Sequence, residues 1–161
     1  MAEPVVAIFL GSDSDYPVAE KATVILHRLG IPFSVNVASA HRTPKHLETL
    51  VHNSPAKIMI GIAGVSAALP GVLAAMTMRP VIGVPVGGKV PYDSLLSIVQ
   101  MPPGIPVAAV GVDRGDNAAL LAAAMLAMTD ERIQGALASY REEQREKVLE
   151  ADRQLQARLK A

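Results

Sequence analysis

Apolar residues are grouped along this chain in short continuous runs, and the segments between the runs have helical spacing. A continuous apolar run is typical of a strand that is covered on both faces, as in a parallel sheet. The runs predict five strands, at residues 5–10, 33–38, 57–63, 81–86 and 107–112.

The segments between these runs predict helices joined to the strands by short loops. The predicted helices cover residues 17–29, a segment that follows Pro44, and residues 67–76, 93–100 and 117–128, with Gly30 as the C-cap of the first. Strands that alternate with helices indicate an α/β fold. About five strands favour a flavodoxin-like, doubly wound parallel sheet.

The end of the chain has a different pattern. Thr129 is the predicted cap of a long final helix, with Asp130 and Glu131 in its first turn. Residues 139–161 are mostly charged, and their apolar positions share one side: Tyr140, Val148, Ala151, Leu155 and Leu159. Such a stripe indicates a helix that lies on a surface, such as that of a neighbouring subunit, or a solvated helix with a frayed end. We therefore predict a single domain over residues 1–161, with an α/β core at 1–129 and a C-terminal helix at 130–161.

The composition narrows the choice of partners. A formal net charge of zero and a pI of about 6.9 argue against nucleic acid or an anionic membrane as partner. The chain has no cysteine for disulfides or thiolate metal sites, and neither a signal peptide nor a membrane-spanning run, so we expect a cytoplasmic protein. A mean hydropathy of +0.31 predicts apolar surface buried between subunits.

The segment V-A-S-A-H-R-T-P at residues 37–44 carries the strongest chemical signal. The pair Thr43-Pro44 predicts a helix start, with the Thr43 oxygen capping a free N–H. His41 and Arg42 would then lie on a loop between the carboxyl end of a strand and a helix N-terminus, which is where open parallel sheets bind ligands. An imidazole beside a fixed cation suits an anionic substrate that needs proton transfer. A single histidine can also be an ordinary surface or core residue.

Two further loops should meet this one at the same edge of the sheet. Residues 11–15, G-S-D-S-D, combine a glycine with hydroxyls that can cradle a phosphate and a carboxylate that can bind a ribose diol. A turn with a helix cap explains the same residues equally well. Residues 63–66, A-G-V-S, are small enough to admit a flat ring or a small gas molecule, although tight helix–sheet packing also requires small residues.

Other polar features give weaker indications. The glycine-rich loop at residues 87–91 is a fourth candidate, but Lys89 in it is more often a solvated charge. His27, His46 and His52 form no cluster with carboxylates, so we predict no metal site. The sequence has neither a dinucleotide-binding fingerprint nor a Walker loop.

Several motifs in order resemble the PurE family of purine biosynthesis. They are G-S-x-S-D at 11–15, S-A-H-R-T-P at 39–44, A-G at 63–64, L-P-G at 69–71 and D-S-L-L-S-I-V-Q-M-P at 93–102. The resemblance spans about residues 5–128. It implies a flavodoxin-like fold, a homo-octamer, and activity without metal or cofactor.

The resemblance also implies residue roles. His41 would be the proton carrier, Ser12 and Arg42 would hold a phosphate, and Asp15 would bind the ribose hydroxyls. Ser39 and Gly64 would line the base pocket, and Ser66 is a further substrate-binding candidate in the same loop as Gly64. The substrates would be a small ribonucleotide and carbon dioxide.

Two activities occur in the family that this chain resembles. One class is N5-carboxyaminoimidazole ribonucleotide mutase, which moves a carboxylate from the exocyclic nitrogen to ring carbon C4. The other class carboxylates aminoimidazole ribonucleotide directly with carbon dioxide. We expect the mutase, because Arg42 and the 93–102 run resemble that class. Two alternatives are direct carboxylation and a PurE-like carboxylase that acts on another nucleotide; a nucleotide-binding module without activity is a further one, which an intact His41 disfavours.

One position departs from the mutase pattern. The mutase class commonly has G-G-A-A-H before L-P-G, whereas this chain has G-V-S-A-A at residues 64–68, so Ala68 replaces a second histidine. An A-G-x-S loop resembles the direct carboxylases instead. That class, however, usually has lysine where this chain has Arg42, and it lacks the 93–102 run.

Overall fold

The computed structural model describes residues 3–160. Within them, the sheet is parallel and five-stranded, with the order β2-β1-β3-β4-β5. The strands are β1 (Val6–Leu10), β2 (Phe33–Val37), β3 (Ile58–Ala63), β4 (Val81–Pro85) and β5 (Ala108–Ala109). This is the flavodoxin-like order, so the predicted fold class is confirmed.

The strand register brings the predicted loops together. Leu10 at the end of β1 pairs with Val37 at the end of β2 and with Ile62 near the end of β3. In the next pair, Ala63 at the end of β3 lies opposite Pro85 at the end of β4. The loops that follow β1, β2 and β3 therefore leave the sheet side by side at its carboxyl edge.

Helices cover both faces of the sheet. They are α1 (Tyr16–Arg28), α2 (Pro44–Asn53), α3 (Leu69–Met76), α4 (Pro91–Val99), α5 (Gly115–Leu126) and α6 (Glu131–Lys160), with a short 3-10 helix at Asp13–Asp15 before α1. Alternate strand residues such as Ile8 and Ile60 pack against α1, α5 and the start of α6. The residues between them, such as Phe9 and Met59, pack against α2, α3 and α4. Strands β1, β3 and β4 are buried throughout, which explains their continuous apolar runs.

Small residues let α1 and α5 approach closely. The α5 alanines at positions 118, 119, 122 and 123 are completely buried. A Cβ added at Gly115, the first residue of α5, would overlap the carbonyl oxygen of Val18 in α1. This contact fixes α1, whose N-terminus follows the loop after β1.

Several element boundaries differ from the prediction. Helix α3 begins at Leu69 rather than residue 67, and α4 begins at Pro91, because proline is well suited to the first helical position. Strand β5 covers two residues rather than six. Beyond it the chain still follows β4, since the amides of Val110 and Asp113 donate to the carbonyls of Gly83 and Pro85, but it does so irregularly.

The N-cap of α6 is Asp130, one residue later than the predicted Thr129. The Oδ1 atom of Asp130, not the Thr129 side chain, accepts hydrogen bonds from the amides of Arg132 (3.0 Å) and Ile133 (3.1 Å). The Thr129 amide donates to the carbonyl of Leu126 and so belongs to the end of α5. Residue 161, the last of the predicted helix, lies outside the described residues.

Helix α6 contacts its own chain only in its first half, as far as the described residues go. Ile133 is buried, and Tyr140 packs against the core with the Arg28 guanidinium 4.9 Å from its ring centroid. From residue 145 to residue 160 every side chain is exposed, including Val148, Leu155 and Leu159 of the predicted stripe. Nothing in residues 3–160 covers the second half of α6, so the two predicted alternatives, a contact with a neighbouring subunit and a solvated helix, both stay predictions. Among residues 3–160, no helix combines the length and the apolar character that crossing a membrane requires.

Candidate active site

The loops after β1, β2 and β3 enclose a cavity of about 340 Å³. All the site residues predicted from the sequence lie in its lining: Ser12, Asp15, Ser39, His41, Arg42, Gly64 and Ser66. The structure therefore brings together residues that are more than fifty positions apart in the chain. Their individual roles stay predictions.

The loop after β1 is held by a capping box. The Ser12 side chain accepts a hydrogen bond from the Ser14 amide (3.4 Å), and the Asp15 carboxylate accepts one from the Ser12 amide (3.1 Å). Asp15 is 8% exposed. Burial raises the pKa of the Asp15 carboxyl above its ordinary value, and the negative charge of Asp13 raises it further. The hydrogen bond from the Ser12 amide and the positive charge of Arg42 lower this pKa, but they do not cancel the effect of burial. This segment therefore forms the predicted turn with a helix cap and also lines the cavity, while phosphate and ribose binding by it stay predictions.

The loop after β2 is closed by hydrogen bonds that differ from those predicted. Thr43 occupies the N-cap position of α2, but its hydroxyl accepts from the Ser39 amide (2.9 Å) and donates to the Ser39 carbonyl (3.2 Å). The prediction that the Thr43 oxygen caps α2 is therefore wrong, because the side chain turns back into the loop. Within this closed loop, the Ser39 hydroxyl accepts from the Arg42 amide (3.1 Å), and His41 is exposed at the cavity.

Arg42 joins the first two loops. Its Nη2 donates to the carbonyl of Gly11 (2.9 Å), and its Nε donates to the Ser39 hydroxyl (3.3 Å). Among the described residues, Nη1 donates no hydrogen bond, so one side of the guanidinium can bind an anion. The position of Arg42 is thus fixed by two backbone loops before any ligand binds.

A second cavity of about 290 Å³ adjoins the first. The two share Gly11, Ser12, Ser39 and Arg42 in their linings. The second is also lined by Asp13, Thr43 and His46, which are not among the site residues predicted from the sequence. The available signal was the helix start at Thr43-Pro44, which places His46 in the first turn of α2, four residues after Arg42.

The loop after β3 forms the opposite side of the first cavity. A Cβ at Gly64 would lie 3.3 Å from the Cβ of Val86, so this position needs glycine or a shift of the β4 end. Val65 has a positive φ of 56°. Ala68, which stands where the mutase class commonly has histidine, lies in the lining just before α3.

The fourth candidate loop lies outside the cavity lining. The amide of Gly87 donates to the Asp113 carboxylate (2.9 Å), which fixes the start of this loop against the segment that follows β5. Lys89 is exposed and is not among the lining residues of either cavity, as far as residues 3–160 show. In the same part of the chain, no three histidine, aspartate or glutamate side chains are grouped so that they could hold a metal ion.

A model of the AIR carboxylase family matches residues 5–147. The N5-carboxyaminoimidazole ribonucleotide mutase of Methanocaldococcus jannaschii is 53% identical over 96% of this chain and 99% of its own. The phosphoribosylaminoimidazole carboxylase of Saccharomyces cerevisiae is 45% identical over 92% of this chain, which spans 27% of that protein. The crystal structure of Treponema denticola PurE superposes with a TM-score of 0.86 and 33% identity, covering 95% of this chain and 99% of the other.

Proposed function

Because this chain belongs to the PurE family, that of AIR carboxylase, we propose that it is an N5-carboxyaminoimidazole ribonucleotide mutase of purine biosynthesis. The observation that carries the proposal is the meeting of His41, Arg42 and Asp15 around one cavity at the carboxyl edge of the sheet. An imidazole, a cation and a buried carboxylate there can bind a ribonucleotide and move its protons. A relative named as this mutase matches the chain over nearly its whole length.

Substrate binding follows from the positions of the polar groups. Arg42 directs the free side of its guanidinium toward the phosphate, assisted by the Ser12 hydroxyl, because paired N–H groups match phosphate oxygens. Asp15, held by the Ser12 amide, accepts hydrogen bonds from the ribose hydroxyls. Ser39, Gly64 and Ser66 line the space for the imidazole base.

The reaction needs one proton carrier that acts twice. The bond between N5 and the carboxyl carbon breaks, carbon dioxide is released, and protonated His41 donates its proton to N5. Ring carbon C4 then attacks carbon dioxide, and neutral His41 removes the C4 proton, which restores the imidazolium. A histidine can serve both steps because its two protonation states are both accessible near neutral pH. The second histidine that Ala68 replaces is not needed for either proton transfer.

Direct carboxylation of aminoimidazole ribonucleotide is the second candidate. It is favoured by one specific observation, namely that Ala68 and Ser66, rather than a histidine, line the cavity beside α3. The S. cerevisiae relative is named as a carboxylase. The same residues would bind the nucleotide, and His41 would only remove the C4 proton.

A pair of initial rates separates the two activities. The purified protein is given either N5-carboxyaminoimidazole ribonucleotide or aminoimidazole ribonucleotide with dissolved carbon dioxide, at matched concentrations. We expect fast conversion of the N5-carboxy compound. Fast turnover of the second mixture without turnover of the first would assign the chain to the direct carboxylases, and turnover of neither would contradict both assignments.

The assembly is also part of the proposal. We infer a homo-oligomer, with the octamer taken from the family resemblance. It is supported by the exposed apolar side of α4, where Tyr92, Leu96 and Val99 are 77%, 51% and 45% exposed and lie at helical spacing. Light scattering that gives a 16.9 kDa particle would contradict it. Carbon dioxide as the transferred molecule and a cytoplasmic location stay predictions.

A further inference from the structure

Val65 has a backbone conformation that is unfavourable for its side chain. Its φ of 56° lies in the left-handed region, which β-branched residues rarely adopt because the Cβ substituents clash with the backbone. Asp113 also has a positive φ, but aspartate tolerates this region far better than valine does. Other turns of this chain place glycine there, at Gly30, Gly88 and Gly104.

Burial does not compensate for this conformation. The Val65 side chain is 70% exposed, so it gains little from removal of apolar surface from water. A glycine would remove the backbone strain and lose little packing. The presence of valine thus lowers the stability of the single chain, and strain of this kind is concentrated at functional sites.

The surrounding loop holds Val65 in this conformation. On one side, the Val86 amide donates to the Ala63 carbonyl (2.9 Å), which ties the end of β3 to β4. On the other side, the Ala68 amide donates to the Ser66 carbonyl (2.7 Å) just before α3. Between these two anchors, Val65 lines the rim of the first cavity together with Ser66 and Ala68.

We propose that Val65 covers the reacting carboxylate and keeps carbon dioxide in the cavity between the two half-reactions. This inference rests on the mutase function proposed above. Cleavage of the N5–carboxyl bond yields free carbon dioxide and aminoimidazole ribonucleotide, and the product forms only if C4 captures that carbon dioxide before it escapes. An apolar side chain at the rim excludes water and blocks the exit, and it is itself covered when the base is bound.

The test measures which fraction of the substrate has its carboxylate transferred to C4 and which fraction loses it as free carbon dioxide. Wild type, Val65→Gly and Val65→Ala receive N5-carboxyaminoimidazole ribonucleotide, and the ratio of free aminoimidazole ribonucleotide to the C4-carboxylated product is recorded. Spontaneous decarboxylation, measured without enzyme, is subtracted. Val24→Ala is the matched control, because Val24 is 60% exposed on α1 and lies outside both cavities.

We expect the ratio of free aminoimidazole ribonucleotide to C4-carboxylated product to rise by about threefold to tenfold in Val65→Gly. This is the change in rate that corresponds to losing the apolar contact of part of one valine side chain. A smaller rise is expected in Val65→Ala and none in Val24→Ala. The thermal unfolding midpoint of Val65→Gly should equal or exceed that of wild type, because the strain is removed.

Several results would overturn the inference. An unchanged ratio in Val65→Gly would show that the side chain does not confine carbon dioxide, and an equal rise in Val24→Ala would show that the effect is unspecific. A lower unfolding midpoint or a smaller particle in light scattering would mean that Val65 serves packing or subunit contact instead. A wild-type protein that does not convert the N5-carboxy compound would instead refute the proposed function, which separates the two failures.

Discussion

Replacing Arg42 with alanine should weaken binding of a nucleotide much more than binding of the corresponding nucleoside. The Nη1 side of the guanidinium is available for a phosphate, whereas Nη2 and Nε bind the Gly11 carbonyl and the Ser39 hydroxyl. The variant therefore loses two kinds of interaction, one with the ligand and one between the loops. Only the first depends on the phosphate.

The size of the effect follows from the number of hydrogen bonds. Each charge-assisted hydrogen bond contributes about 1.5–3 kcal/mol. A two-point contact of the phosphate with parallel N–H groups, one on Nη1 and the second one on Nη2, is thus worth about 3 kcal/mol or more, which corresponds to a loss on the order of a hundredfold in nucleotide affinity. The loss of the hydrogen bonds from Arg42 to the two loops should weaken the binding of nucleotide and nucleoside by the same, smaller factor. This factor is on the order of threefold to tenfold, which corresponds to one neutral hydrogen bond.

Calorimetry with aminoimidazole ribonucleotide and its dephosphorylated riboside measures the two losses separately. Arg141→Ala is the control, since Arg141 is an exposed arginine on α6 and lies outside both cavities. Arg42→Lys should recover part of the affinity, because the charge is kept but the paired geometry is lost. Equal losses for nucleotide and riboside in Arg42→Ala would refute the assignment of Arg42 to the phosphate.

Three further predictions test the proton carrier, the packing and the buried carboxylate. His41→Asn should keep nucleotide affinity within about threefold and lower turnover by roughly 10²–10⁴-fold or more, and retention of more than about a tenth of wild-type activity in a rate assay would contradict the role. Gly115→Ala should lower the free energy of unfolding by about 1–3 kcal/mol or more in denaturant titrations, because its Cβ would overlap the Val18 carbonyl; Gly135→Ala on α6, where nothing lies within 4 Å, should be neutral or stabilising. Because the pKa of Asp15 is raised in the folded protein, the unfolded chain releases this proton more easily. The free energy of unfolding should therefore fall as the pH rises from 3.8, the ordinary aspartate pKa, through the higher pKa of the folded protein. Asp15→Asn should remove this pH dependence in denaturant titrations at a series of pH values.

The sequence was sufficient to locate the strands and helices approximately and to identify the edge of the sheet that carries the candidate site. Buried parallel strands must be apolar along their whole length, so continuous runs located β1, β3 and β4 directly. Because strand ends in a parallel sheet share one edge, the predicted positions of His41 and Asp15 already implied that both lie at that edge, and the pairing of β1 with β2 places them at one cavity. The motifs added the family, which the comparisons confirm.

Hydrogen-bond partners within the loops could not be predicted in the same way. Thr43 and Asp130 both have side chains that favour N-caps, but the Thr43 hydroxyl binds the Ser39 backbone instead, while Asp130 caps α6 in place of Thr129. A local rule gives the residue types that can accept an amide proton, whereas the path of the chain determines which amide is in reach.

Contacts between distant segments depended on the tertiary structure alone. The chain pattern predicted the apolar stripe of α6, but only the packing shows that Tyr140 contacts the core while Leu155 and Leu159 are exposed. Likewise, glycine-rich and small-residue loops are compatible with many turns, and the strained backbone of Val65 arises because β3, β4 and α3 fix both ends of its loop. The sequence determined which segments form strands and helices, because burial and periodicity are local properties; the geometry of the site was decided by contacts between segments far apart in the chain.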